Sequence, residues 1–220
     1  MDKKFWLVLG AIAAIFVGIW YFGGDKKTDT DTGSMQPTSH IKGKLDSKVA
    51  LVEYGDFQCP VCGNYYPLVT QLVEKYKDKI SFQFRHLPLT NVHPNALAAA
   101  RASEAASEQD KFWEMYDQLF LNQATWSQSA SATKYFEQYA TQAGADLERY
   151  KVDAAAPKTN KLVNADVAAF KKTGDTVSTP TFYLNGKKLD LKTLLDAEGR
   201  PSIEKFSQVI DAKLKETGQQ

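Results

Sequence analysis

The only two cysteines of the chain, Cys59 and Cys62, are separated by Pro60 and Val61 at a point where a strand should hand over to a helix. Residues 49–54 (Val-Ala-Leu-Val-Glu-Tyr) are β-branched and apolar enough for a buried strand, and Gly55-Asp56-Phe57-Gln58 then supplies a turn. From there Cys62, Tyr65, Tyr66, Val69, Leu72, Val73 and Tyr76 recur at helical spacing, which predicts a helix with Cys62 on its apolar face. Cys59, at the helix mouth, is expected to be exposed. Pro60 suits the first helical position, where its missing N–H would have had no partner. Pro67 predicts a bend further along the same helix.

Such a helix points its free N–H groups and the positive end of its dipole at the Cys59 sulfur. That favours thiolate, the attacking species in disulfide exchange. Cys59 is therefore read as the attacker and Cys62 as the resolver. A structural disulfide would close a very small loop and add little on the entropic model. Zinc needs about four ligands, and His40, His86 and His93 show no metal-site spacing. The expectation is a redox-active Cys59–Cys62 pair with no metal and no other cofactor.

Glu53 lies six residues before Cys59, near the end of the strand that feeds the helix. Sharing a strand face with Val49 and Leu51 would bury its carboxyl beneath the dithiol. Its pKa would then rise, and it could move a proton to or from Cys62. An exposed acid at the strand end, paired with a lysine, fits the spacing equally well. In residues 178–186, Ser-Thr-Pro-Thr-Phe-Tyr-Leu-Asn-Gly, Pro180 opens an apolar run that ends in Asn-Gly, a strong signal for a tight hairpin turn. Proline as a plain strand opener is the simpler reading of Pro180. A cis Thr179–Pro180 bond would instead leave backbone groups of Thr179 facing an incoming peptide.

Four separated blocks carry a resemblance: residues 53–62 (EYGDFQCPVC), 84–89 (FRHLPL), 111–120 (KFWEMYDQLF) and 178–186. Together they resemble the DsbA-like branch of the thioredoxin superfamily, over roughly residues 41–215. The resemblance implies an α/β thioredoxin-like fold with an inserted helical subdomain and a nucleophilic Cys59. It also implies a buried acid at Glu53 and a cis proline at Pro180. Substrate would lie against Pro60, Val61, Thr179 and Pro180. Strong oxidants of that branch carry histidine between the cysteines where this chain has Val61, which argues against a strongly depressed Cys59 pKa and a strongly oxidising potential.

Residues 5–22 carry no charge and, at 1.5 Å per residue, reach about 27 Å, close to the apolar thickness of a bilayer. Lys3 and Lys4 would also suit a cleaved signal peptide, but no small-x-small site closes the run. Residues 1–24 are read as a single transmembrane anchor, with Trp20, Tyr21 and Phe22 at the interface. Lys3 and Lys4 are balanced by Lys26 and Lys27, so basic residues give no orientation. An oxidisable pair is useful outside the reducing cytosol, so the domain is expected on the extracytoplasmic side of the cell membrane. Residues 25–40, polar and without apolar period, read as a flexible linker. The rest, 41–220, fits one domain, with a helical insertion at about 93–172 built from patterns at 94–107, 112–121, 133–143 and 158–171. A helix over 202–216 closes it. With 43% apolar residues and net charge +1 there is enough for a core and no basic excess for nucleic acid.

The expected activity is a thiol:disulfide oxidoreductase, an oxidase that donates its Cys59–Cys62 disulfide to exported proteins. A quinone-linked membrane thiol oxidase is the reoxidation partner that the resemblance implies. A reductase or isomerase, and a non-catalytic tethered chaperone, are the alternatives.

Overall fold

The computed structural model describes residues 36–219. A five-stranded sheet forms its centre, built from β1 (His40–Gly43), β2 (Ala50–Gly55), β3 (Ser81–His86), β4 (Thr181–Leu184) and β5 (Lys187–Lys188) in the order β1-β3-β2-β4-β5. β2 and β3 run parallel, joined through α1 (Pro60–Tyr76), while β1 pairs antiparallel with β3 and β4 antiparallel with β2. A parallel pair requires such a crossover, because a short turn can only reverse the chain. The β4–β5 turn is Asn185-Gly186, with φ of 49° and 76°, the positive values that make Asn-Gly the preferred pair there.

Alternation along the strands divides the core in two. Leu51, Phe82, Phe84, Phe182 and Leu184 join the larger cluster with Cys62, Leu72, Met115 and Phe206. On the other face Tyr54, Leu87 and Tyr183 pack with Phe170. Glu53 shares the alternation of Leu51 and so points into the larger cluster, opposite Phe84 on β3 and Phe182 on β4.

Between β3 and β4 lies an all-helical insertion: α2 (Ala96–Ser107), α3 (Phe112–Leu121), α4 (Gln123–Trp126), α5 (Ala132–Gln142), α6 (Leu147–Ala155) and α7 (Pro157–Lys171). Trp126 is fully buried, and its indole N–H donates to Leu119 O at 2.8 Å, so a large ring enters the core with its polar atom satisfied. A 3-10 turn (Leu191–Leu194) and α8 (Ile203–Glu216), capped by the Ser202 side chain, complete the domain.

The packed region begins before residue 41. Thr38 is buried; its N–H and hydroxyl donate to the Asp166 carboxylate at 2.8 and 2.5 Å, and His40 already belongs to β1. The reading of 25–40 as linker therefore fails at its end, because two hydrogen bonds to a buried acid on α7 hold that segment down. The rest of the linker and the anchor at 1–24 lie outside the described residues. Among the described residues, no helix is long and apolar enough to cross a membrane.

At the end of β2 the backbone of Gly55 runs against the Phe84 ring, where an added Cβ would fall 2.4 Å from the nearest ring carbon. Gly55→Ala should destabilise the domain by about 1–3 kcal/mol, because the ring is locked in the core and cannot yield. A urea midpoint unchanged from the parent would show that the contact relaxes.

Candidate active site

The turn after β2 is organised by a buried acid. Asp56 accepts from the N–H groups of Gln58 at 2.8 Å and Leu89 at 2.9 Å, and lies 2.6 Å from His93 Nδ1. His93 thus braces the loop that presents the cysteines. Asp56 O also accepts from Cys59 N–H at 3.0 Å, and Cys59 O accepts from Gly63 N–H at 3.1 Å. Cys59 is the N-cap of α1 with extended backbone (φ −66°, ψ 120°), and Pro60 takes the first helical position. The thiol therefore stands where the unpaired N–H groups of the first turn converge.

The exposure expected for Cys59 is corrected. The residue is only 5% exposed, because the segment around Pro180 packs against it and puts Thr179 O 3.5 Å from its sulfur. The Thr179–Pro180 bond is cis. Cys62 is fully buried, as its place on the apolar helix face predicts, and both cysteines are free thiols. Pro60 and Val61 form the outward lip, with Val61 47% exposed. Glu53 is 1% exposed, and among the described residues its Oε2 has no hydrogen-bond partner, which excludes the exposed, lysine-paired alternative.

These surroundings push the three titrating groups apart. The Cys59 thiol is lowered to about 5: the Cys62 thiol donates to its thiolate, outweighing burial, and Thr179 and the N–H groups of Cys62 and Val61 add to the effect. The Thr179 hydroxyl is buried and has no hydrogen-bond partner among the described residues. Burial pushes Cys62 far up, and the Cys59 thiolate beside it adds to the rise. Burial likewise raises Glu53 to about 8, with the Cys59 charge as the second cause. The Cys59 thiol is thus lowered without a histidine at position 61, the Cys62 thiol being the first cause.

The histidines that might have joined the sulfurs are engaged elsewhere. His40 Nε2 and His86 Nε2 lie 2.6 and 2.7 Å from one oxygen of the buried Glu104, pinning β1, β3 and α2 together. Three amide side chains at the site carried no sequence signal. Gln58 Nε2 donates to Ser127 O while its Oε1 accepts from the Asn95 main-chain N–H, Asn95 Nδ2 donates to Ser127 O and Ser129 O, and Gln123 Nε2 donates to both Phe57 O and Cys59 O. Single polar residues in helices and turns have no periodicity to announce them.

A thiol at a helix N-terminus, a fully buried thiol three residues on and a buried acid thus lie together at one end of the sheet's central strand. The chain belongs to the thioredoxin family, whose sequence profile (Thioredoxin) matches residues 35–212. BdbD from Bacillus subtilis shares its fold with TM-score 0.67 and 22% identity, over 83% of this chain and 97% of that one. MdbA from Corynebacterium diphtheriae, described as a thiol-disulfide oxidoreductase, aligns over 82% of this chain and 97% of its own with TM-score 0.62 and 18% identity. Among curated relatives, the Na(+)/H(+) antiporter NhaA 1 of Mycolicibacterium gilvum is 37% identical over 152 residues, which is 68% of this chain and 24% of that protein. The Na(+)/H(+) antiporter NhaA 3 of Salinispora tropica is 38% identical over 149 residues, 68% of this chain and 22% of its own. The chain thus spans about a quarter of the length of these relatives.

Proposed function

We propose that the protein is a thiol:disulfide oxidase that transfers a Cys59–Cys62 disulfide to reduced, unfolded proteins outside the cytoplasm. The observation that carries this reading is the placement of the Cys59 sulfur at the N-terminus of α1 beside the Cys62 thiol, groups that lower its pKa to about 5 and lose that role once the disulfide forms. Whatever stabilises the thiolate stabilises the reduced protein, and a stabilised reduced form makes the disulfide a strong oxidant.

In each cycle a substrate thiolate attacks the Cys59 sulfur of the disulfide. The S–S bond breaks, Cys62 leaves with the electron pair, and Glu53 gives it a proton. A second substrate thiolate then attacks the substrate sulfur of the mixed disulfide and expels the Cys59 thiolate. The substrate loses two electrons and two protons; the protein gains both electrons and one proton, which ends on Cys62 once solvent reprotonates Glu53, and the other proton goes to solvent. Thr179 and Pro180 align the substrate backbone, with Pro60 and Val61 forming the facing lip. Because backbone contacts carry little side-chain information, substrate choice is loose.

Residues 5–22 would tether the domain to the outer face of the cell membrane, beside a quinone-linked thiol oxidase that restores the disulfide. Similarity to part of two proteins named as antiporters supports a setting at a membrane for this domain.

The equilibrium potential of the pair tests the direction of electron flow. Poised in glutathione buffers and read by thiol-trapping mass shift, it should lie between about −120 and −200 mV. A value near −270 mV, roughly that of thioredoxin, would make the protein a reductase.

A further inference from the structure

We infer that Gln123, the first residue of α4 in the helical insertion, is a positioning residue for Cys59: its side-chain amide holds the cysteine main chain so that the sulfur stays on the N–H groups of α1. The inference rests on the exchange reading above and adds a residue to its machinery. Gln123 Nε2 donates to Phe57 O at 2.7 Å and to Cys59 O at 2.9 Å, so both of its amide protons are committed to the active-site loop. Among the described residues, the Cys59 main chain otherwise bonds only to its own turn and its own helix, through Asp56 O and Gly63 N. Gln123 is the tie that reaches it from a different part of the fold.

Neighbouring contacts fix where that tie is held. Gln58 Nε2 donates to Ser127 O at 2.6 Å, and Asn95 Nδ2 donates to the carbonyls of Ser127 and Ser129 at 3.1 and 3.0 Å. The chain just after Gln123 is therefore seated against the loop, and the amide arrives from a fixed base. Gly63 makes room on the other side: a Cβ there would fall 2.5 Å from Gln123 Oε1. Glycine inside a helix is a poor choice by propensity, alanine being the better helix former. The space it leaves is filled by the Gln123 amide.

Without this tie the N-cap residue is freer to fray, as helix ends do. The sulfur then spends less time aligned with the N–H groups of Val61 and Cys62 that help hold its charge. Cys59 should accordingly titrate higher and exchange more slowly at acid pH.

The test uses Gln123→Ala, Gly63→Ala and the double variant. In reduced protein the ultraviolet absorbance of the thiolate follows Cys59 alone in the acid range, since Cys62 titrates far above it. Exchange with oxidised glutathione gives the rate. Each single variant should lower the thiolate fraction at pH 5 roughly threefold, the size expected if the misaligned sulfur forfeits about one hydrogen bond from the α1 N–H groups. The double variant should do no more than either single one, because the methyl group added by Gly63→Ala has already expelled the amide. Gly63→Ala is the sharper arm: it should leave unfolding by urea no easier while still shifting Cys59, which a merely structural role for Gln123 would not do. The inference is overturned if Gln123→Ala titrates like the parent, or if the two shifts simply add. A parent protein that fails to exchange with glutathione would count against the exchange reading alone, because the titration needs no substrate and still decides the role of Gln123.

Discussion

Replacing Cys62 with serine should turn the protein into a trap: a disulfide-containing peptide will become covalently attached at Cys59 and stay there. Cys59 is ionised at neutral pH and can attack a disulfide sulfur, expelling one peptide thiolate and leaving a mixed disulfide. In the parent, Cys62 gives up its proton, attacks Cys59 and releases the peptide. In Cys62→Ser that step has no nucleophile, so a reductant-sensitive mass adduct accumulates. Cys59→Ser should show neither adduct nor turnover, because the remaining thiol is fully buried and strongly disfavours its charged form. The expected loss is to the uncatalysed background. An adduct on Cys62 in the Cys59→Ser protein would reverse the assigned roles. Undiminished partner binding and an unchanged cell phenotype in Cys59→Ser would mean instead that the fold serves as a binding module and that its cysteines merely staple a helix.

The parts of this site that could be read from sequence are those in which a periodic pattern or a special backbone residue fixed the geometry. The apolar face of α1 put Cys62 inside; the spacing along β2 left Glu53 equally placed for burial or for solvent, and only the family resemblance implied the buried acid that the structure shows. The helices at Phe112–Leu121 and Pro157–Lys171 stand close to where their apolar spacing placed them. The Asn185-Gly186 turn was equally plain. β1 was missed because a four-residue edge strand carries too few alternations to register, and its position depends on His40 meeting Glu104 across 64 residues. Leu147–Ala155 was missed as a helix since it buries only Tyr150 and so has almost no apolar stripe. The cover over Cys59 was illegible for a different reason. It comes from Thr179, which lies 120 residues away, and no local pattern encodes that approach. The same holds for the charge on Cys59: Val61 suggested a weak thiolate, yet the largest lowering comes from the Cys62 thiol.

Glu53→Gln should make the reduced protein more stable at neutral pH and slower in exchange. With Glu53 held near 8 in the fold against 4.5 for an ordinary glutamate, the folded chain keeps a proton that the unfolded chain releases throughout that window. Stability therefore falls as pH rises from about 4.5 to 8, and below that window both states are protonated and the cost vanishes. At about 1.4 kcal/mol per pH unit the penalty reaches roughly 3 kcal/mol at pH 7. Glutamine resembles the protonated acid and carries no such slope, so urea unfolding of the two proteins should coincide near pH 4 and diverge steadily above it. Cys59 acts in the opposite sense: its lowered pKa adds stability as pH rises above about 5, but this slope is present in both proteins and drops out of their difference. Parallel stability curves between pH 4 and 8 would show that the carboxyl is ionised in the fold. The kinetic effect separates a proton carrier from a mere buried liability. Glutamine has no proton to give the departing Cys62, so release of Cys62 in oxidised protein should slow on the order of 100-fold, within the usual range for general acid–base catalysis. A variant that gained stability with its exchange rate intact would leave Glu53 buried for some purpose other than proton transfer. A variant that gained stability and lost rate would mean that the fold tolerates a destabilising acid because the reaction at Cys62 depends on it.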